Sequence, residues 1–348
     1  MTAAQEAYVT GGVSVAEATG KIAAGSAPEA LLERARALEE RKLFGDALLS
    51  YYRAIIESQR QGRWLDQATT PPGLLSLVAH AMRFVKAGRR KAFDLVLDPV
   101  YRQHGREALR RFEDCLAIQV GERRALPPDA RQRPSILYFP GLPATPYLDR
   151  SAFPWFDELE RSTGAIREEL LGVMPRASLS ERVFDSDAAE RIGLAGEEAP
   201  SWNGFYFWRH GERREDNHAA CPRTSAVLER LPLARIREHA PEVMFSVLTP
   251  GSHILPHRGV TNTRVVCHLP LIVPKDCALV VGGERHEWRD GETVAFDDTY
   301  EHEAWNRGSE TRVVLILDVW NPYLSEAERD AVAVLVAAMG DFNRAAGL

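Results

Sequence analysis

The sequence has no run of apolar residues long enough to cross a membrane. No stretch of about 18 or more apolar residues occurs, and the first 21 residues lack the basic start and apolar centre of a secretory signal. The net charge is −6, and no basic run with interleaved aromatic residues is present, which argues against nucleic-acid binding. The remaining composition is that of a soluble globular protein.

Cysteine is also scarce, and its spacing excludes the usual thiolate sites. The four cysteines do not form a CxxC pair and are scattered along the chain, at Cys115, Cys221, Cys267 and Cys277. Disulfides and a thiolate zinc centre are therefore not expected, and small buried thiols are the simpler interpretation. This usage predicts a reducing, cytoplasmic location.

Residues 26–125 have the periodicity of α-helices. Apolar and small side chains recur at helical spacing from Leu31 to Ala54, with a break at residues 43–46. The pattern resembles one tetratricopeptide repeat, and a plain helical bundle is the alternative. Because one repeat cannot bury its own face, two or three helix pairs are expected to stack.

Further helices are expected beyond this pair. Leu74–Leu97 predicts a second helix pair interrupted at Gly88, and Tyr101–Val120 predicts one more helix. Residues 1–25 are small and polar and are predicted to form a flexible tail. Six prolines between positions 127 and 146 predict a linker or an extended entry strand over residues 126–150.

The second half of the chain changes to the pattern of strands. After a helix over Trp155–Leu171 and an acidic loop over 185–200, short β-branched or aromatic segments alternate with Gly, Pro and Asp. Such a series indicates a β-sandwich or jelly roll with a ligand site at its mouth. The predicted class is α+β, with residues 151–348 forming the jelly roll. The predicted strands are Gly204–Trp208, Val243–Leu248, Thr263–Val273, Ala278–Val281, Thr293–Phe296 and Arg312–Trp320.

Five histidines lie between Pro250 and Arg312, so composition alone does not select metal ligands. His257 lies where a strand runs into a turn, and His302 lies in an acidic turn, so both are accessible rim positions. The apolar surroundings of His253 and His268 indicate burial. Neutral imidazoles are good Fe(II) ligands, and the usual third ligand, a carboxylate, would stand two residues after the first histidine. That position is Gly259.

An ordered series of short segments in this region is specific enough to indicate a protein family. It resembles the aspartyl/asparaginyl β-hydroxylase family of Fe(II)- and 2-oxoglutarate-dependent oxygenases, from about Trp155 to the C-terminus. The resemblance implies a double-stranded β-helix, a cupin-like jelly roll. The matching segments are Phe245–Leu248, Pro250–His253, Pro256–Gly259, Thr261–Arg264, His268–Leu271, Phe296–Asp298, Glu301–Trp305 and Asp318–Trp320.

The resemblance also implies a set of ligands. His257 and His302 would bind iron, and Gly259 matches the family's own lack of the carboxylate. Arg312 would pair with the distal carboxylate of 2-oxoglutarate, helped by the hydroxyl of Ser246. Trp202 and His268 would line the other end of the cosubstrate. Fe(II), 2-oxoglutarate and O2 are the implied cofactors.

One departure from the family pattern concerns charge. An arginine commonly stands two residues before the position of His268, where this sequence has Val266. Arg264 lies two residues earlier, on the same strand face by parity, and is the candidate for binding a substrate carboxylate, with Arg258 near the rim. Asp298 is expected to orient an iron-bound water, a ligand histidine or the substrate. The simpler alternatives are a solubilising arginine and a turn-capping aspartate.

The predicted activity is hydroxylation of the β-carbon of Asp or Asn in a peptide or protein, with succinate and CO2 as co-products. A helical-repeat surface suits an extended peptide. The alternatives are a small-molecule or lipid acyl-chain hydroxylase, a catalytically silent 2-oxoglutarate or metal sensor that holds a partner, and a cupin-type metal enzyme independent of 2-oxoglutarate. The sequence does not indicate an oligomeric state.

Overall fold

The computed structural model describes residues 27–174, 181–184, 193–196 and 200–348. Two compact units are present among these residues: 27–96 with 338–348 form the first, and the described residues between 97 and 337 form the second. These units differ from the predicted helical domain, linker and oxygenase domain at 26–125, 126–150 and 151–348. The predicted tail at 1–25 and most of the predicted loop at 185–200 lie outside the described residues.

Helices occur in both units, and they form the regular structure of the part of the first unit that is described. Two short 3-10 turns, Pro72–Leu74 and Arg150–Ala152, accompany them. The α-helices are α1 (Pro28–Glu40), α2 (Phe44–Arg60), α3 (Leu75–His104), α4 (Arg110–Gln119), α5 (Phe156–Arg161), α6 (Thr163–Val173), α7 (Glu215–Ala220), α8 (Pro222–Leu228) and α9 (Glu326–Ala346).

Helices α1 and α2 pack as the predicted pair, with Leu31, Ala35 and Tyr51 fully buried between them. The predicted interruption at Gly88 is wrong, because α3 runs through it. A Cβ at Gly88 would lie 2.6 Å from a methyl group of Leu48, so the glycine permits close packing on α2. A repeat of helix pairs stays a prediction.

The predicted helix over Tyr101–Val120 is also wrong. Helix α3 continues to His104, and α4 begins at Arg110. Gly105 separates them with a φ of +79°, a conformation that favours glycine and ends the first helix.

The second unit is built on two antiparallel sheets. The strands are β1 (Glu181–Arg182), β2 (Leu194–Ala195), β3 (Trp202–Arg209), β4 (Glu212–Arg213), β5 (Val243–Leu248), β6 (His253–His257), β7 (Arg264–Ile272), β8 (Cys277–Val281), β9 (Glu284–His286), β10 (Val294–Phe296), β11 (His302–Asn306) and β12 (Arg312–Trp320). One sheet has the order β1-β3-β5-β12-β7-β10 with β4 paired to β3, and the other has the order β2-β6-β11-β8-β9. From β5 to β12, apart from the short strand β9, consecutive strands alternate between the sheets, which is the arrangement of a jelly roll.

The first sheet is buried on both faces. One face packs on α5, α6 and α8 through residues such as Phe245 and Leu315, against Leu159 and Ile166. The predicted helix over Trp155–Leu171 is thus two helices that meet at Ser162. The opposite face points toward the second sheet. Because side chains alternate along each strand, every second residue packs on the helices and the residues between them line the space between the sheets.

The proline-rich segment 126–150 does not behave as a free linker. Gln132 Nε2 donates to Asp297 at 2.6 Å, and the backbone N–H of Phe139 donates to the side-chain oxygen of Asn262 at 2.8 Å. Phe139 itself is fully buried. The segment is therefore a packed part of the second unit.

The four cysteines are buried and free, as predicted. None of the helices in the described ranges is long and apolar enough to span a membrane.

Candidate functional site

A cavity of about 360 Å³ lies between the two sheets. The first sheet lines it with Ser246, His268 and Arg312, and the second sheet lines it with His257 and His302. Successive side chains of a strand point to opposite faces of its sheet. On β5, β6, β7, β11 and β12 these residues occupy the positions whose side chains point into the space between the sheets.

The two candidate metal ligands face each other across neighbouring strands. The pairing of β6 with β11 sets His302 opposite His257, and their ring centroids are 4.1 Å apart. His257 Nδ1 lies 2.8 Å from the carbonyl oxygen of Leu255, and His302 Nδ1 lies 3.0 Å from that of Tyr300. A carbonyl only accepts, so each Nδ1 is the donor and each Nε2 keeps a lone pair. This is the tautomer that a metal ligand requires.

Burial holds both rings neutral. It lowers the pKa of His302 to about 3, with a further contribution from the neighbouring His257. Burial likewise lowers the pKa of His257. Neutral imidazoles at ordinary pH need no deprotonation before they bind a cation.

Arg312 is a buried cation at the other end of the cavity. It is 1 % exposed, and its Nη1 donates weakly to the Ser246 carbonyl at 3.4 Å and hydroxyl at 3.3 Å. The guanidinium lies over the Trp288 ring at 5.0 Å, and its Nε has no hydrogen-bond partner. Within the described ranges no carboxylate lies in ion-pair contact with it, and burial lowers its pKa to about 10. An unpaired buried charge is costly, so a bound carboxylate would stabilise it.

Two further candidates adjoin Arg312. Ser246 Oγ accepts from Trp202 Nε1 at 2.9 Å, and the Trp202 ring lies 6.4 Å from the His257 ring. His268 is buried between Trp288 and Phe296, and its Nδ1 has no hydrogen-bond partner. Burial, reinforced by Arg312, lowers the His268 pKa well below its usual value. The structure therefore brings together all four residues predicted to hold the cosubstrate.

Asp298 lines the same cavity close to the histidine pair. Its Oδ1 is buried and has no hydrogen-bond partner, and its Oδ2 lies 3.9 Å from Arg264 Nη2. Burial raises the pKa of Asp298 to about 6. A free acceptor oxygen here suits a water, an imidazole N–H or a substrate donor.

The residues predicted to bind substrate divide into two groups. Arg264 and Val266 line the cavity together, which confirms their shared strand face. Arg264 is hydrogen-bonded to the buried carboxylate of Asp318. Arg258 does not line the cavity, and its guanidinium donates to Glu301 at 3.0 Å. His253, expected to be buried, is half-exposed and bonds Glu303 at 2.6 Å.

The donor set for a metal consists of two histidines. The described ranges contain no group of three or more His, Cys, Asp or Glu side chains placed to hold a metal ion. This agrees with Gly259 in the place of the usual carboxylate. Two Nε2 lone pairs would leave the remaining coordination positions to water and small ligands.

Residues 160–322 match the family model described as aspartyl/asparaginyl β-hydroxylase. This part of the chain is therefore similar to that family. The human aspartyl/asparaginyl β-hydroxylase is 33 % identical over 178 residues, which is 51 % of this chain and 22 % of the human protein. The chain therefore spans only part of the length of the curated relatives that it matches.

Two other relatives have different names within the same family. The ornithine lipid ester-linked acyl 2-hydroxylase of Rhizobium tropici is 36 % identical over 52 % of this chain and 63 % of its own length. The human aspartate β-hydroxylase domain-containing protein 2 is 35 % identical over 59 % of this chain and 55 % of its own length. A Trichoplax adhaerens prolyl hydroxylase structure has 11 % identity and a TM-score of 0.31, covering 52 % of this chain and 94 % of its own, which is too weak a likeness for argument.

The family resemblance did not point to the outer end of the cavity. Met244 and Glu242 share the parity of Ser246, so extending the alternation of β5 would have found them. Two turns place His210 and His239 beside them, where Gly211 N donates to the Pro241 carbonyl at 3.2 Å. No local pattern predicts that contact. The other lining residues at this end are Val183, Tyr206 and Arg209.

Proposed function

We propose that the chain is an Fe(II)- and 2-oxoglutarate-dependent hydroxylase. The observation that supports it most is the buried guanidinium of Arg312, which has no carboxylate partner and shares one cavity with a pair of neutral histidines. 2-Oxoglutarate has the complementary form, with a carboxylate for the arginine at one end and a metal-chelating keto acid at the other. A planar guanidinium fork binds such a carboxylate with defined orientation.

His257 and His302 fit an Fe(II) ion, because both Nε2 atoms keep their lone pairs and both rings are neutral. When bound, the iron would let O2 oxidise a C–H bond of the substrate while 2-oxoglutarate loses CO2. One oxygen atom would enter succinate and the other the product hydroxyl group. The protein contributes position and the exclusion of water.

The remaining residues hold the reactants in place. Arg312 and Ser246 would fix the distal carboxylate of the cosubstrate, and the Trp202 indole orients the Ser246 hydroxyl by its hydrogen bond. His268, wedged between aromatic rings and neutral, would face the cosubstrate as an uncharged wall. Asp298 Oδ1 would accept a hydrogen bond from a water or from the substrate beside the histidine pair.

Two substrate classes suit this reaction, an Asp or Asn side chain and a lipid acyl chain. The sequence predicts an Asp or Asn side chain in a peptide, and the names of two relatives refer to Asp/Asn and to a lipid acyl chain. Both names describe hydroxylation of an aliphatic carbon, which is the reaction proposed here. A role of the helices in binding a peptide stays a prediction.

The test is succinate release by the purified full-length chain with Fe(II), ascorbate and 2-oxoglutarate. Release above the level without enzyme is expected, and it should rise with a true substrate. Binding of iron and 2-oxoglutarate without any succinate above that level would instead support a silent sensor. Turnover of a substrate that does not require 2-oxoglutarate would point to the metal enzyme of the third alternative.

A further inference from the structure

The cavity extends well beyond the cosubstrate end along β5. Ser246 and Met244 line the cavity from alternate positions of the strand, and Glu242 continues the series just before the strand begins. An extended strand rises about 3.4 Å per residue, so Glu242 lies roughly 13 Å from Ser246. This leaves room for a second molecule beside the cosubstrate.

Apolar side chains form one stretch of the wall between those two ends. Met244 stands opposite Ile316 on β12 and Tyr206 on β3. Val266 stands opposite Phe296 on β10 and, on its other side, opposite Asp318 on β12, whose carboxylate is bonded to Arg264. A carboxylate next to this wall would lose its hydration without gaining a cation. The wall suits an aliphatic segment.

The charged side chains around the cavity are mostly paired among themselves. The guanidinium of Arg264 is held by Asp318, and that of Arg209 by Glu181. Glu303 is bonded to His253 at 2.6 Å. These pairs leave the outer end without an unpaired arginine for an anionic substrate.

Glu242 differs from the other cavity carboxylates in its partners. Its Oε1 accepts the backbone N–H of His210 at 2.5 Å and lies 2.9 Å from that residue's Nδ1. Within the described ranges, no arginine or lysine lies in ion-pair contact with it, and Oε2 receives no hydrogen bond. Burial raises the pKa of Glu242 in spite of the His210 N–H and the more distant Arg264 and Arg209. A cation that reached Oε2 would supply the missing partner.

A tight turn fixes this carboxylate in position. His210 and Gly211 have φ values of +51° and +76°, so the turn between β3 and β4 presents the His210 N–H toward Glu242. The Glu242 backbone N–H is itself bonded to Asp318 at 2.9 Å. Glu242 is thus held by hydrogen bonds at both its backbone and its side chain, as a residue that recognises a ligand requires.

We infer that Glu242 determines specificity, and that the substrate of the proposed hydroxylase carries a cationic nitrogen at the end of an aliphatic segment. The cation, an ammonium or guanidinium group, binds Glu242, and the aliphatic segment lies along Met244, Ile316 and Val266 toward the histidine pair. A basic side chain in a peptide and a free amine have this same chemistry. The inference depends on the proposed function for the reaction but not for the binding measurement.

The experiment compares three probes of equal chain length: hexylamine, 1-hexanol and hexanoate. The full-length protein is loaded with Mn(II) and N-oxalylglycine, a cosubstrate analogue that does not turn over, and binding is measured by calorimetry. Hexylamine is expected to bind about tenfold more tightly than 1-hexanol, and hexanoate more weakly than either. Equal binding of the three probes would overturn the inference.

Two variants assign the effect to one carboxylate. Glu242→Gln keeps an acceptor for His210 but removes the charge, so the preference for hexylamine should vanish while 1-hexanol binding is unchanged. Glu212→Gln is the matched control, because Glu212 is an exposed glutamate near the same turn that does not line the cavity. Persistence of the amine preference in Glu242→Gln would contradict the assignment. The comparison of probes in the unmodified protein holds even if this variant fails to fold.

Affinity for N-oxalylglycine separates the two proposals. If N-oxalylglycine binds and the preference for hexylamine is absent, the substrate inference fails and the proposed function stands. If N-oxalylglycine does not bind at all, the proposed function fails.

A second experiment with active enzyme identifies the molecule that carries the cation. It compares lysine or arginine in peptides with the free amino acids and with alkylamines. The expected product has gained one oxygen atom, and a product from glutamine or norleucine peptides at equal rate would contradict the inference.

Discussion

The carboxylate of Asp298 fills the space that a side chain on Gly259 would need. An ideal Cβ on Gly259 would collide with the carboxylate atoms of Asp298. The Gly259 N–H also donates to the Asp298 carbonyl oxygen at 2.6 Å, which holds the two backbones together. The lack of a third protein ligand at position 259 is therefore enforced by packing, since no larger residue fits without moving Asp298.

Gly259→Ala should be destabilising although it adds only one methyl group. Overpacking of a close contact typically costs about 1–3 kcal/mol, and the displaced Asp298 would also disturb the histidine pair. Urea unfolding and metal titration measure the two effects. Gly164→Ala is the control, because its Cβ would meet nothing within 4 Å in helix α6, and it should be neutral or slightly stabilising. Unchanged stability of Gly259→Ala would show that Asp298 moves aside freely.

His257→Ala and His302→Ala should each abolish metal binding and succinate release. Loss of a residue that is hydrogen-bonded to a metal ligand can lower metal affinity by roughly 100-fold. Removal of one of the two nitrogen ligands themselves should lower metal affinity by more than that. Binding of Fe(II) or Mn(II) by calorimetry gives a readout apart from turnover. His286→Ala, at a histidine that does not line the cavity, should behave like the unmodified protein. Full activity in both cavity variants would show that the ligands are assigned wrongly.

Arg312→Met should abolish binding of 2-oxoglutarate without destabilising the ligand-free protein. The variant removes a buried cation that has no carboxylate partner, and such replacements by apolar residues are often neutral or stabilising. In a thermal unfolding assay, 2-oxoglutarate should raise the Tm of the unmodified protein but not that of the variant. Arg307→Met is the control, since this exposed arginine stacks on Trp305 at 4.6 Å outside the cavity. An equal shift of Tm in both variants would place the cosubstrate elsewhere.

Asp298 should make the metal-free protein less stable as the pH rises from 4 to 7. Burial raises its pKa from an ordinary 3.8 to about 6, so the folded state binds the proton more tightly than the unfolded state. Its contribution to stability is full below pH 4 and is lost as the pH rises through 6. Relative to Asp298→Asn, which does not titrate, the unmodified protein should lose on the order of 1–3 kcal/mol across this range. Urea unfolding of both proteins at several pH values measures the difference, and a constant difference would exclude the shift.

The strands that could be predicted are those that form the structural core. Val243–Leu248 and Arg312–Trp320 have the expected limits, because they are continuous β-branched or apolar runs buried on both faces. A strand was expected to end near His257 without stated limits, and His302 was expected in a turn although it begins the strand His302–Asn306. Their sequences are short and polar because one face lines the cavity. The strands with the clearest chemistry were therefore the least recognisable as strands.

Local rules failed where tertiary packing opposed them. Gly88 was interpreted as a helix break, but it lies inside a helix because the methyl groups of Leu48 need its space. The prolines of 126–150 were interpreted as a linker, although Phe139 and its neighbours are packed on the second unit. Glycine and proline limit the backbone, but the contacts they serve lie far away in the sequence.

Strand parity predicted from the sequence that Arg264 and Val266 share one face, and the family resemblance named Ser246 and Arg312 as cosubstrate ligands. Which of these groups have partners depends on the folded structure. Arg264 is paired by Asp318, Arg312 has no carboxylate, and Glu242 is held by a turn from another strand. Burial and ion pairing depend on contacts between residues tens to more than a hundred positions apart, and these exist only after the sheets have come together.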